Sequence, residues 1–341
     1  MKRPYADGQA APVAAGRRNW TPMFRALIRF GLVSATAAAL LVSDPPTSAR
    51  AQQAGTSTSD ARTASIVVGK ITENAKKHYP VVKRMATYLA SRLDGATPPA
   101  GEGLITRDPE SMARYLKDGR VDVISETPFT ALRLAEKAGA EIILREWKKG
   151  VAEYNSVFFT RKDSGIETLA DLVGRKIAFE DRGSTSAFLV PLAMLRRQGL
   201  ELRHQGSPRD AVPKGVIGYS FALGELNIAA WVALGIVDAG AFSNLDWQEI
   251  VRTPERIKKD LRIFHESAPV LRSVVLVRPG LAPDKRRRIK ETLLGMHRDS
   301  EGRAVLEAYY KVKQYDALTG AARESLEESR RMLDRIRGEV D

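Results

Sequence analysis

The chain has 341 residues, 43% hydrophobic and 28% charged, enough for two lobes with a sizeable core. It contains no cysteine, which excludes a disulfide framework, thiolate metal ligands and a cysteine nucleophile. The net charge is +13, and the four histidines (His78, His204, His265 and His297) are scattered without paired spacing, so neither a metal nor a cofactor is predicted.

In chain order, the first segment reads as an address. Arg17, Arg18, Arg25 and Arg29 precede the apolar run Phe30 to Val42, which is too short and alanine-rich to span a bilayer comfortably. Ala49-Arg50-Ala51 follows and fits a small-residue cleavage site near Ala51. Residues 1–51 are therefore expected to be a cleavable export signal, with an uncleaved anchor as the alternative. They carry +5 of the charge, leaving +8 on the exported part. The basic run Lys285 to Arg288 falls in a predicted helix and reads as a solvated face. It has no interleaved aromatics, so no nucleic-acid partner is predicted.

Residues 52–63, rich in Gln, Gly, Ser, Thr and Ala, read as a flexible leader. Beyond them strands and helices alternate. Strands are predicted at 64–71, 103–106, 121–125, 141–145, 156–160, 176–179, 215–220, 237–242, 261–264 and 273–277. Helices are predicted over 78–93, 108–117 (capped by Asp108), 128–138, 168–173, from Ser184 onward, and 227–234. Residues 203–213 read as a polar loop, and from Pro283 onward the chain reads as mostly helical. Such alternation implies an α/β fold with largely parallel sheets and ligands at the carboxyl ends of strands.

The stretch from Ile177 to Pro191 carries the main candidate. A short strand and a polar turn lead to Ser184, Thr185 and Ser186, then to an apolar helical run. A helix start offers free amides and a positive dipole end, a natural seat for an oxyanion. Ala187 stands three residues after Ser184, so no capping-box carboxylate competes for those amides. Ordinary helix capping explains most such triplets and is the blander reading of the same residues at this point.

Five ordered segments resemble the phosphate/phosphite/phosphonate-binding proteins of ABC importers. They are Asp118-Gly-Arg-Val-Asp122-Val, Tyr154-Asn-Ser-Val-Phe-Phe, Lys162 to Phe179, Gly183 to Pro191, and Glu225 to Gly240. The resemblance implies a type 2 periplasmic binding fold: two α/β lobes, each a mixed, mostly parallel sheet flanked by helices, with the ligand cleft between them. Lobe 1 is expected to be discontinuous, 64–157 with 270–341, and lobe 2 to be 158–269. It further implies a periplasmic, monomeric protein that captures a small oxyanion and presents it to an ABC permease in the inner membrane. The family's hydroxyl triplet carries over intact to Ser184, Thr185 and Ser186.

The walls facing the triplet depart from the family pattern. Glu126 and Thr127 stand after the VDV strand, and Gly224-Glu225 stands where a histidine is common. Arg107 and Arg272 are candidate anion clamps through bidentate hydrogen bonds, or else rim charges. Glu126 and Glu225 oppose a bare dianion but suit a ligand with an ammonium or hydroxyls. Tyr154 either stacks in the cleft or belongs to the core. The Asp171-Leu-Val-Gly174 and Gly235-Ile-Val-Asp238-Ala segments read as architecture. A sensor of the same fold is the alternative function. An enzyme using Glu126 and Glu225 as an acid/base pair is the more remote one, and no catalytic residue is assigned.

Overall fold

A computed structural model describes residues 66–93 and 101–340, so the expected signal and leader lie outside the described residues. β1 (Ile66–Ile71) is β-branched and buried over its first four residues, and leads into α1 (Ala75–Leu93). β2 (Gly101–Thr106) and α2 (Pro109–Lys117) follow, with the Asp108 carboxylate accepting from the Ser111 amide at 2.7 Å. Next come β3 (Val123–Glu126), α3 (Pro128–Ala138) and β4 (Glu141–Glu146). The two-residue strand β5 (Glu153–Tyr154) precedes β6 (Ser156–Arg161), and β7 (Lys176–Phe179) comes after a single 3-10 turn at Ala170–Leu172.

A π-helical turn (Thr185–Leu189) then runs into α4 (Val190–Arg197). β8 (Leu202–His204), β9 (Ile217–Phe221), α5 (Glu225–Ala233) and β10 (Ala239–Ser243) continue the alternation. The short helices α6 (Asn244–Gln248) and α7 (Glu255–Lys258) lead to β11 (Leu261–Glu266). β12 (Val270–Leu271) and β13 (Ser273–Val277) return the chain toward α8 (Pro283–Gly295). It ends through α9 (Ser300–Ala308), β14 (Tyr315–Asp316) and α10 (Ala321–Val340).

The strands form two six-stranded mixed sheets, ordered β14-β4-β13-β3-β1-β2 and β11-β6-β10-β7-β9-β8. In the first, β1 pairs in parallel with β2 and β3, and β13 runs antiparallel between β3 and β4. In the second, β7 lies in parallel between β10 and β9, and β8 extends that parallel set. This is the two-lobed periplasmic-binding architecture. The chain enters the second sheet at Ser156 and leaves it after Glu266. The two crossings, β5 and β12, pair antiparallel with each other through Val270–Tyr154 and Leu271–Glu153.

Several local expectations differ. Residues 202–204 extend the second sheet where a loop is predicted, because a parallel edge strand needs few apolar residues. The 168–173 helix is one 3-10 turn, and the helical tail is interrupted by β14, whose two residues pair with Glu146 and Arg145.

One buried cluster runs from Ile124, Phe129 and Leu132 through Tyr154 and Leu271 at the crossover. It continues to Phe158, Phe188 and Leu192 in the second lobe and to Leu326, Leu333 and Ile336 of α10. Each such large apolar side chain contributes about 1.5–3 kcal/mol on burial. The two sheets thus share one core behind the crossover.

Candidate functional site

The turn after β7 is built by its own polar groups. The Gly183 amide donates to Asp181 Oδ1 at 2.7 Å, and the Ser184 amide to the Asp181 carbonyl at 3.3 Å. Ser184 is the N-cap, with extended φ/ψ, and its Oγ accepts from the Ala187 amide at 3.2 Å. The Leu189 amide reaches back five residues to the Ser184 carbonyl, and Val190 does the same to Thr185. Pro191 has no amide to continue this register, which frees the Ser186 carbonyl. Ser156 Oγ donates to that carbonyl at 2.7 Å, fastening the triplet to the first residue of β6.

The hydroxyls of the triplet thus differ in their commitments. Ser184 Oγ accepts the Ala187 amide as cap and donates to the Glu180 carboxyl. Thr185 is only 2% exposed, and its Oγ1 is buried without a hydrogen-bond partner. An orphaned buried hydroxyl costs about 1–3 kcal/mol. The amides of Thr185 and Ser186, in the first turn, lack intrahelical acceptors. The Thr185 hydroxyl and these two amides thus lie within one helical turn.

Beside them stands Glu180, which ends the strand that delivers the turn. Burial, then the neighbouring Glu225 carboxylate, push its carboxyl up to about 7. Glu225, at the first position of α5, is paired with Arg252 at 2.6 Å.

The other wall belongs to the first sheet. Glu126 closes β3, and its carboxylate holds Lys70 Nζ at 2.6 Å. Thr127 is the N-cap of α3 and makes no side-chain cap bond, leaving that helix start open, and α3 packs against the turn that carries the triplet. Glu146, closing β4, is 1% exposed and its Oε2 has no partner. Lys148 follows in a 3-10 turn whose next residue, Lys149, has φ 53°. Burial first, then the charge of Lys70, lower the Lys148 ammonium to about 8. The Lys148 and Lys70 ammoniums lie 5.1 and 6.0 Å from the Tyr310 ring centre, and His78 Nδ1 is 3.0 Å from the Tyr310 hydroxyl. At the crossover the Arg272 guanidinium lies 4.5 Å from the Tyr154 ring centre.

Ser184, Thr185 and Ser186 are thus joined by the crossover to Tyr154 and Arg272, and by α3 to Thr127 and Glu126. Tyr154, 3% exposed, is both core and the platform for Arg272. Arg107 is exposed beyond the end of edge strand β2, and no described contact brings it to the other candidates. Lys70, Glu146, Lys148, Glu180 and Tyr310 are wall residues that sequence reasoning missed. Lys70 near the end of β1, Glu146 at the end of β4 and Glu180 just after β7 stand at or next to the carboxyl ends of strands, the one signal that points to them. Direct bonds cross between the lobes at Asn244–Asn155 (2.9 Å) and Lys149–Glu249 (3.4 Å). A surface hollow of 620 Å³ on α10, lined by Thr319, Arg323 and Glu327 among others, contains none of these residues. Among the described residues no cluster of metal-ligating side chains occurs, and no helix is long and apolar enough to cross a membrane.

Residues 72–322 match the family described as ABC transporter, phosphonate, periplasmic substrate-binding protein. The chain belongs to that family. Its members are transport solute-binding proteins. The Phosphate-import protein PhnD of Mycolicibacterium smegmatis is 30% identical over 173 residues, 49% of this chain and 52% of that protein, so the match spans about half the length of this curated relative. XAC2383 from Xanthomonas citri, solved with chloride and with ATP, is 32% identical, with a TM-score of 0.75 over 80–81% of this chain and 98–99% of its own. PhnD1 from Prochlorococcus marinus, solved with methylphosphonate, shares the fold at 16% identity and a TM-score of 0.57. That alignment covers 80% of this chain and 98% of PhnD1.

Proposed function

We propose that the protein is the extracytoplasmic solute-binding component of an ABC importer. It captures a small oxyanion-bearing solute between the lobes, closes about the β5–β12 crossover, and as a monomer presents the closed form to the permease. The observation that carries this reading is the buried, unpartnered Thr185 hydroxyl, set at a helix start between Ser184 and Ser186. The family and the phosphate-import relative support an oxyanion as ligand. No covalent chemistry is required, because fixed hydroxyls and amides replace the solute's hydration shell.

Isothermal calorimetry with phosphate, phosphite, methylphosphonate and aminoethylphosphonate tests it, with ATP added because XAC2383 was solved with that ligand. At least one oxyanion is expected to bind, and the Ser184→Ala/Thr185→Ala double variant to weaken it about 100-fold, the worth of two hydrogen bonds to a charged group. If none binds, while another ligand class does and tolerates the double variant, the oxyanion reading is wrong.

A further inference from the structure

Charges around the cleft mostly stand in contact pairs. Lys70 holds Glu126 at 2.6 Å, Arg252 holds Glu225 at 2.6 Å, and Arg145 is shared between Glu153 at 3.0 Å and Asp316 at 2.6 Å. Two cations on the lobe 1 side break this pattern. The Arg272 guanidinium carbon lies 4.5 Å from the Tyr154 ring centre, and its Nε is buried without a partner. Lys148 faces the Tyr310 ring, and among the described residues neither its ammonium nor the Arg272 guanidinium has a carboxylate within ion-pair distance. Ser273 of β13 stands opposite Glu146 of antiparallel β4, so Arg272, one residue before Ser273, and Lys148, two residues after Glu146, leave the sheet at the same end. Burial and the Arg272 charge both disfavour the Lys148 cation.

The carboxylates nearby do not neutralise them. Glu126 is committed to Lys70, and Glu146 acts on Lys148 through the field without touching it. A cation taken partly out of water without a counter-charge costs free energy, which an arriving anion returns. The planar Arg272 fork and the point charge of Lys148 are both suited to an oxyanion. The hydroxyl triplet, fastened by Ser156 two residues after Tyr154, already accounts for one oxyanion on the opposite wall.

We propose that the solute is a bis-anion. One oxyanionic group sits on Ser184, Thr185 and Ser186, and a second, a phosphate, phosphonate or carboxylate, sits between Lys148 and Arg272. This rests on the solute-binding reading above and narrows its ligand class: a second negative group is favoured over the ammonium that Glu126 and Glu225 suggest in the sequence, since Glu126 and Glu225 each already hold a cation.

Calorimetry on the protein with methylphosphonate, methylenediphosphonate, pyrophosphate and phosphonoacetate reads the preference directly. The bis-anions are expected to bind at least about tenfold more tightly than methylphosphonate, the worth of one added charge-assisted contact. Lys148→Met and Arg272→Gln, made separately so that one misfolded variant does not decide the matter, should each weaken the bis-anions more than methylphosphonate. The ratio then falls toward one. Equal or tighter binding of methylphosphonate by the unaltered protein overturns the bis-anion proposal while leaving the oxyanion reading intact. So does an equal loss for both ligand classes in the variants. Failure of every one of these ligands to bind overturns the bis-anion proposal, and the oxyanion reading falls with it only if phosphate, phosphite and aminoethylphosphonate fail as well.

Discussion

Glu180 shows how far a residue's behaviour depends on neighbours its sequence position does not reveal. Its carboxyl is raised to about 7 by burial and by Glu225, with Asp181 and Asp246 acting the same way and a hydrogen bond from Ser184 opposing them. Between the ordinary carboxylate range and about 7, the folded state therefore binds more protons at this site than the unfolded state. Stability from this group is lost as pH rises through that window. His78 and His265 act oppositely: burial lowers both, so their contribution grows as pH rises through the ordinary histidine range. The net slope mixes these effects, and the informative quantity is a difference. Glu180→Gln, which keeps the shape and removes the charge, is expected to gain stability over the unaltered protein as pH rises from about 5 to about 8. Thermal melts of both proteins across that range measure it, and a pH-independent difference contradicts the raised carboxyl. The Ser-Thr-Ser triplet was legible because capping is local. Lys148 and Glu180 were not, since burial by the fold shifts them most, followed by charges distant in sequence, Lys70 for the one and Glu225 for the other.

At the scale of elements, the two lobes use one device twice. Gly119 and Gly235 end α2 and α5 at φ 71° and 68°, in the left-handed region where glycine is least strained. Three residues later, Asp122 and Asp238 each enter a strand. Asp122 donates its amide to the Val67 carbonyl at 2.9 Å and accepts the Val67 amide on Oδ2 at 2.9 Å. Asp238 does the same with Lys176, at 2.9 and 2.9 Å. In each lobe the aspartate locks a new parallel strand to the strand that leads to a cleft wall. The two differ in setting. Asp122 is fully buried and also accepts Arg278 Nε at 2.8 Å, whereas the Asp238 side chain is 36% exposed with Arg175 3.5 Å away. Asp122→Ala, which orphans the buried Val67 amide and leaves half-buried Arg278 without its carboxylate, is expected to cost about 2–3 kcal/mol. Asp238→Ala is expected to cost about 1 kcal/mol. Urea denaturation of the two variants measures both, and equal costs would count against burial as the cause. The glycine–x–valine–aspartate spelling makes this architecture readable in the amino-acid sequence. The crossover strands β5 and β12 are not readable there, because two-residue strands have no period to detect.

At the scale of the whole molecule, α10 is the element that reaches both lobes. It packs on α3 and on the crossover strand β12 on one side and on α4 on the other. Arg337 pairs with Glu136 of α3 at 2.9 Å, and Arg196 of α4 grips both oxygens of Glu339 at 2.6 and 2.9 Å. α10 thus ties α3 and the crossover strand β12 to α4 of the second lobe. Glu339→Ala is expected to cost about 1 kcal/mol or less in global stability, as a partly exposed pair does. Hydrogen exchange in the last turns of α10 is expected to speed up at the same time. Unchanged exchange there would mean that apolar packing alone fixes the helix.

The sequence by itself determined the α/β alternation, the glycine-ended helices with their aspartate-locked strands, and the capped hydroxyl triplet. Each of these is written in residues a few positions apart, where period, capping and backbone strain act. The tertiary structure alone decided which charges meet: Glu126 with Lys70, Glu225 with Arg252, and Lys148 and Arg272 with no carboxylate in contact. Coulomb energy and desolvation depend on distance in space rather than along the chain. The triplet was therefore legible as a helix cap, while the charges of the wall facing it waited for the fold.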